Sequence, residues 1–109
     1  MKIFETNLTY KGWDVEAHLF HDDILDINQV WLINPWDDSL VAICGLNINV
    51  DLEDDEILIK NYYENEGMSL WMYENGLIKD QGITLISAKE NVVIGKLNLD
   101  RFMEVEINE

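Results

Sequence analysis

The sequence predicts an α+β domain: a mostly antiparallel β-sheet built from hairpins, with one short α-helix at about residues 65–75 packed on it. Two observations carry this. Apolar and polar residues alternate in runs separated by turn residues, the period-2 pattern of half-buried strands. A single stretch, holding Met68, Trp71 and Met72, shows the i, i+3, i+4 spacing of one helix face. The chain of 109 residues is read as one domain, 1–109, with no linker, repeat or low-complexity segment.

Residues 3–10 and 13–20 form the first expected hairpin, turning at Lys11-Gly12. With those two residues as the loop, Tyr10 opposes Trp13, Leu8 opposes Val15, Thr6 opposes Ala17 and Phe4 opposes Leu19, all on one face. Thr9 with Asp14, Asn7 with Glu16 and Glu5 with His18 fall on the other, closed by Ile3 and Phe20. His18, His21, Asp22 and Asp23 spell HxxHDD, a tempting metal pattern. Residues 18 and 21 of a strand point to opposite faces, however, and the chain has no third histidine. Residues 22–28 are read as a turn between hairpins.

The second hairpin is expected from 29–34 and 39–50, joined by Pro35-Trp36-Asp37-Asp38, with proline suiting the start of a type I turn. Leu40, Ala42, Cys44, Leu46, Ile48 and Val50 alternate along one face. Val30, Leu32, Val41 and Ile43 make the opposite face apolar too. A strand apolar on both faces is covered on both. The helix covers one; the other needs a second layer, a second copy of the chain in a homodimer, or a partner. Gly45 interrupts the run and marks a candidate bulge. Cys44 reads as a small buried hydrophobe.

Residues 51–56 hold five carboxylates in six positions: Asp51, Glu53, Asp54, Asp55 and Glu56. A calcium loop needs glycine at its sixth place and glutamate at its twelfth, where this stretch has Glu56 and Tyr62. It is either a solvated loop or an anionic patch, extended by Asp37 and Asp38 if the two loops share an end. After the short strand at 57–59, Asn65 is the expected N-cap, Glu66 favours the helix dipole, and Gly76 with Leu77 fits a Schellman ending against Met72. Gly67 costs a helix about 1 kcal/mol relative to alanine, which a close backbone approach would explain. A third hairpin is expected from 83–87 and 91–99. A last strand follows, in which Glu104 and Glu106, with Glu109, make the open side acidic and guard an edge.

The segment Ile59-Lys60, Tyr62, Glu64-Asn65-Glu66-Gly67-Met68 resembles the signature of an uncharacterised family of small bacterial proteins carried by phages, conjugative elements and other mobile DNA. The likeness spans roughly residues 25–97, with Gly76 and Gly82 where members carry glycines. It implies paired strands, a short helix and a closing hairpin, in a mobile-element setting. It implies no chemistry.

Composition narrows the function. Net charge is −15, against a magnitude of roughly 2–8 for most small domains. Such a chain repels nucleic acid and anionic membrane and attracts basic protein surfaces. No run approaches the roughly 18 apolar residues of a membrane span, no signal peptide is evident, and the lone cysteine cannot form an internal disulfide, which together fit a bacterial cytoplasm. Three serines, one cysteine and two histidines are scattered without a nucleophile–base spacing, and there is no phosphate loop or zinc pattern. No cofactor is expected, and the reading points away from an enzyme.

Two expectations follow. In the first, the chain is an anti-CRISPR-like inhibitor that presents carboxylates to the nucleic-acid-binding surface of a CRISPR-associated or other defence nuclease. Its contacts would be Asp37, Asp38, Asp51, Glu53, Asp54, Asp55, Glu56, Glu104 and Glu106. Alternate side chains on one strand face lie about 6.5–7 Å apart, the scale on which phosphates recur along a nucleic acid strand. In the second, it is an immunity or accessory protein that docks a cognate partner through Trp13, Trp36 or the two-faced hairpin, since aromatic residues dominate such contacts.

Overall fold

The computed structural model describes residues 2–24, 26–46, 51–80, 83–87 and 90–104. The fold is α+β, mainly antiparallel sheet with one short helix packed on it. Strands β1 (Lys2–Tyr10), β2 (Trp13–Asp22), β3 (Ile27–Ile33) and β4 (Leu40–Ile43) form a meander. A short β8 (Met103–Glu104) adds to β1, giving the order β4-β3-β2-β1-β8. A second sheet, ordered β5-β7-β6, holds β5 (Glu56–Lys60), β6 (Ile83–Ser87) and β7 (Glu90–Lys96). Helix α1 (Met68–Glu74) joins β5 to β6 in sequence.

The expected alternation holds along β2, where Val15, Ala17 and Leu19 share the core face. Val30 and Leu32, expected on the face opposite Ala42 and Cys44, join them in the same core, because Leu32 pairs with Ala42 and the Cys44 N–H reaches Val30. Ile57 and Ile59 of β5, Met68 and Met72 of α1, and Leu77 and Leu97 meet them in one cluster. Each such side chain contributes about 1.5–3 kcal/mol by leaving water. Trp71 packs at the edge of this core, donating its indole N–H to the Thr9 carbonyl at 2.9 Å and meeting the Tyr10 ring edge-on. The helix is thereby tied to the tip of the first hairpin.

The first hairpin keeps only half of its expected register. Tyr10 faces Trp13, Thr9 faces Asp14 and Leu8 faces Val15. A bulge between Phe4 and Leu8 then slips the pairing, so that Ala17 faces Phe4 rather than Thr6, Leu19 faces Lys2 rather than Phe4, and His18 faces Ile3 rather than Glu5. The slip is two residues, and along β2 Val15, Ala17 and Leu19 remain on one buried face. The expected turn at 22–28 is shorter, because Asp22 pairs with Ile27 and His21 with Asn28, so it lies between Asp22 and Ile27 and joins β2 directly to β3.

The run 39–50 is not one strand. β4 ends at Ile43, and the chain then turns a corner into the second sheet. The Cys44 N–H donates to Val30 of β3 at 2.9 Å, while the Cys44 carbonyl accepts from Lys60 of β5 at 2.9 Å. Gly45 bridges to Ile59, and the Leu46 N–H donates to Leu58. Gly45 is the pivot: a Cβ there would stand 2.4 Å from the Gln29 side-chain oxygen. Gln29 is buried and takes the place of a strand partner. Its Oε1 accepts from the Gly45 N–H at 2.7 Å and the Val30 N–H at 3.0 Å, and its Nε2 donates to the Gly45 carbonyl at 3.1 Å. Ile48 and Val50 of the expected face lie outside the described residues.

The helix starts later than expected. Asn65 is not its cap: it ends a 3-10 turn, Tyr63–Asn65, and its buried amide donates to the Ile43 carbonyl at 2.6 Å. Capping falls to Asn61, whose Oδ1 accepts the Ser69 N–H at 3.0 Å. Gly67 occupies the N-cap position with φ +83°, and nothing lies within 4 Å of where its Cβ would be, so backbone conformation rather than close approach selects glycine. The helix exit is as expected. The Leu77 N–H reaches the Met72 carbonyl at 2.8 Å and the Gly76 N–H the Tyr73 carbonyl at 3.0 Å, the two bonds of a Schellman ending.

Candidate acidic interface

The meander places its turns alternately at two ends. β3 has seven residues, so the turn before it and the turn after it stand about 20 Å apart. Asp37 and Asp38, in the turn after β3, therefore lie at the opposite end from the turn at 23–26. The acidic loop 51–56 joins the latter. Asn28, at the start of β3, donates through Nδ2 to the carbonyls of Asp54 at 2.8 Å and Glu56 at 2.9 Å. His21, Asp26, Asn28, Glu53, Asp54 and Glu56 line one shallow depression. The expected patch of 51–56 with Asp37 and Asp38 thus does not assemble. In its place, Asp22, Asp23 and Asp26 join Glu53, Asp54 and Glu56.

Not every carboxylate in this group is uncommitted. Glu56 accepts the Glu53 N–H at 2.8 Å and so shapes its own loop. Lys96 stands 3.7 Å from Glu53 and 3.9 Å from Asp55. Asp23, Asp26, Asp51, Glu53 and Asp54 are exposed. At the other end, Asp37 accepts from the Ser39 N–H at 3.0 Å and hydroxyl at 2.6 Å. Those bonds hold its carboxyl below the usual carboxylate range. Asp37 is a turn former first. Asp14 reaches the same end, accepting the Trp36 indole N–H at 3.3 Å. Glu104 lies on β8, paired to Lys2 of β1, while Glu106 is outside the described residues. Asp22, Asp23 and Asp26 were missed because only the closure of the two sheets brings them to the loop.

His21 sits at the acidic end between two acceptors. Asn28 commits its amino group to two carbonyls, which leaves Oδ1 to face His21 Nδ1 at 3.1 Å; Asp26 faces Nε2 at 3.0 Å. Both ring nitrogens can donate only when the imidazole is charged. The Asn28 bond is the main cause of a raised pKa; desolvation opposes it, and the Asp26 bond with the Asp26 and Asp23 charges reinforces it. A raised folded-state pKa adds stability that is fully present below the unfolded value of about 6.5 and lost as pH rises through the folded value. Between pH 5.5 and 8.5 the urea midpoint of the wild type should therefore fall more than that of His21→Gln. The effect is small because the ring is largely solvated. Equal losses would show that His21 is uncoupled from folding.

Cys44 is fully buried, and burial alone pushes its thiol far up from its ordinary value. His18 contacts Glu16 at 3.2 Å. Among the described residues no group of three His, Cys, Asp or Glu side chains could hold a metal ion. Also among the described residues, no helix is long and apolar enough to cross a membrane.

A second surface lies on the outer side of β4. It is an open groove of about 660 Å³ lined by Leu40, Ala42, Ile43, Trp13, Trp31 and Phe20, with Tyr10, Lys11, Lys60 and Glu64 at its sides. Trp31, Leu40 and Ile43 are 38%, 48% and 41% exposed, so an apolar face is uncovered, but it is not the expected set: Val30 and Leu32 are buried, and Leu40, expected on the face of Ala42 and Cys44, is exposed. Phe20 and Trp31 pack edge-on with ring centroids 4.9 Å apart. No family model, curated protein or solved structure matches the chain.

Proposed function

We propose that the chain is a small acidic inhibitor, of the anti-CRISPR kind, that presents carboxylates to the nucleic-acid-binding surface of a host defence nuclease. One observation carries the reading. Two separate acidic segments, the turn at 23–26 and the loop 51–56, are held side by side through Asn28, with their carboxylates on the outside. Fixed negative groups cost less ordering on binding than flexible ones, and they steer association with a basic cleft. The resemblance of 59–68 to a mobile-element family supports a setting inside a bacterial cell. The buried thiol and the histidines already bonded to neighbours favour a binding role over a catalytic one. Asp51, Glu53, Asp54 and Glu56 keep their assigned contact role, and Asp23 and Asp26 join them. Asp37 and Asp38 belong to the far end.

A second reading, an immunity or accessory protein that docks its partner through an apolar surface, is favoured by the exposed Trp31, Leu40 and Ile43, and by Trp36 at 81% exposure. Capture from host lysate separates the two. Under the first reading, added DNA or RNA displaces the captured protein, because both compete for one basic surface. A captured protein that stays bound with nucleic acid in excess supports the second.

A further inference from the structure

We propose that the groove beside β4 takes an extended, basic segment of a partner protein, added as a further strand to the edge of the first sheet. β4 is the last strand of that sheet, and no strand pairs with its outer side among the described residues. Such an edge is a template for another chain. Asn65 covers only the Ile43 carbonyl there. The groove runs along Leu40–Ile43, so an added strand would lay alternate side chains against Trp31, Leu40 and Ile43.

Tyr10 gives an independent sign of an occupant. It lines the groove, it is 6% exposed, and its hydroxyl has no hydrogen-bond partner. A buried hydroxyl left unpaired costs about 1–3 kcal/mol, which a small shift of the ring toward an incoming backbone carbonyl would relieve.

Charge selects the kind of segment. The two lysines at the groove are already engaged: Lys11 donates to the Glu64 carbonyl and Lys60 bonds the Glu64 carboxylate. Asp22 lines the groove, and Asp14 adjoins Trp13 at its other end, within a body of net charge −15. A second copy of the chain would bring the same charge, and the sum opposes association. A strand with apolar residues on one face and lysine or arginine on the other fits both features. This inference rests on the proposed function only in taking the partner to be basic.

The test is an NMR titration of the ¹⁵N-labelled chain with three synthetic heptapeptides: alternating lysine–valine, lysine–serine and glutamate–valine. The lysine–valine peptide is expected to shift the amides of residues 40–43 and the Trp31 indole, and to slow hydrogen exchange along β4. The other two should bind at least tenfold more weakly. Ile43→Lys and Leu40→Lys, both at exposed positions, should each weaken lysine–valine binding at least tenfold while leaving the unfolding midpoint nearly unchanged. Shifts confined to residues 22–26 and 51–56 would overturn the groove inference and leave the acidic reading standing. Equal binding of the glutamate–valine peptide would overturn the basic occupant. Concentration-dependent shifts of β4 without peptide would make the occupant a second copy and overturn the inference. So would the absence of binding by all three peptides, whereas the acidic reading is judged by charge reversal at its own end.

Discussion

Gly45→Ala is expected to lower the unfolding free energy by about 2–4 kcal/mol, a large share of the stability of a domain this size. The added methyl would stand 2.4 Å from the Gln29 side-chain oxygen, well inside contact distance. Gln29 is itself the far end of a flexible side chain and could swing away. Swinging away would release the Gly45 N–H and carbonyl and the Val30 N–H from the bonds it makes. Each buried group left without a partner costs about 1–3 kcal/mol. Urea unfolding measures the loss. Gln29→Ala alone should also destabilise, but combining it with Gly45→Ala should cost less than the sum of the two, because the clash and the lost bonds are one event. Additive losses would mean that the corner does not depend on this contact.

The second large effect concerns binding. Reversing Asp23, Glu53 and Asp54 to lysine is expected to weaken the complex with the target about hundredfold. Three attractions become three repulsions. At roughly 0.5 kcal/mol for each exposed pair, the six changes sum to about 3 kcal/mol. All three residues are exposed, so the fold should survive, and relief of the net charge of −15 should offset local costs. Asp55 is left alone because it is only half-exposed. The same reversal at Asp37 and Asp38 should weaken binding far less, since those residues lie at the other end of β3. Equal losses from the two ends would place the contact elsewhere on the molecule.

Local signals carried much of the fold. Alternation identified the strands and put Val15, Ala17 and Leu19 on one face, and helical spacing put Met68 and Met72 on the buried side of one short helix. Gly76 and Leu77 announced their helix ending through local chemistry alone. What the sequence concealed were side chains serving distant backbone. Asn65 has the right chemistry for a cap, yet it answers a carbonyl on β4, while Asn61 caps from outside the helix. The corner at Gly45 is hidden because alternation continues through it, and only Gln29, sixteen positions earlier, explains it. The acidic end was half legible for the same reason. The density of 51–56 is obvious, but its meeting with Asp22, Asp23 and Asp26 depends on how the two sheets close.

The uncovered groove and the acidic end make opposite demands on a complex. Apolar contact persists in salt, whereas attraction between exposed charges is screened over about 10 Å at 0.1 M salt. The most direct measurement is therefore the affinity of the chain for its captured target across a salt series from about 0.05 to 0.5 M, set beside the Asp23, Glu53 and Asp54 reversal. If carboxylates make the contact, the wild-type affinity falls more than tenfold across the series and the reversal variant binds weakly throughout. An affinity that holds steady with salt and survives the reversal would contradict the account.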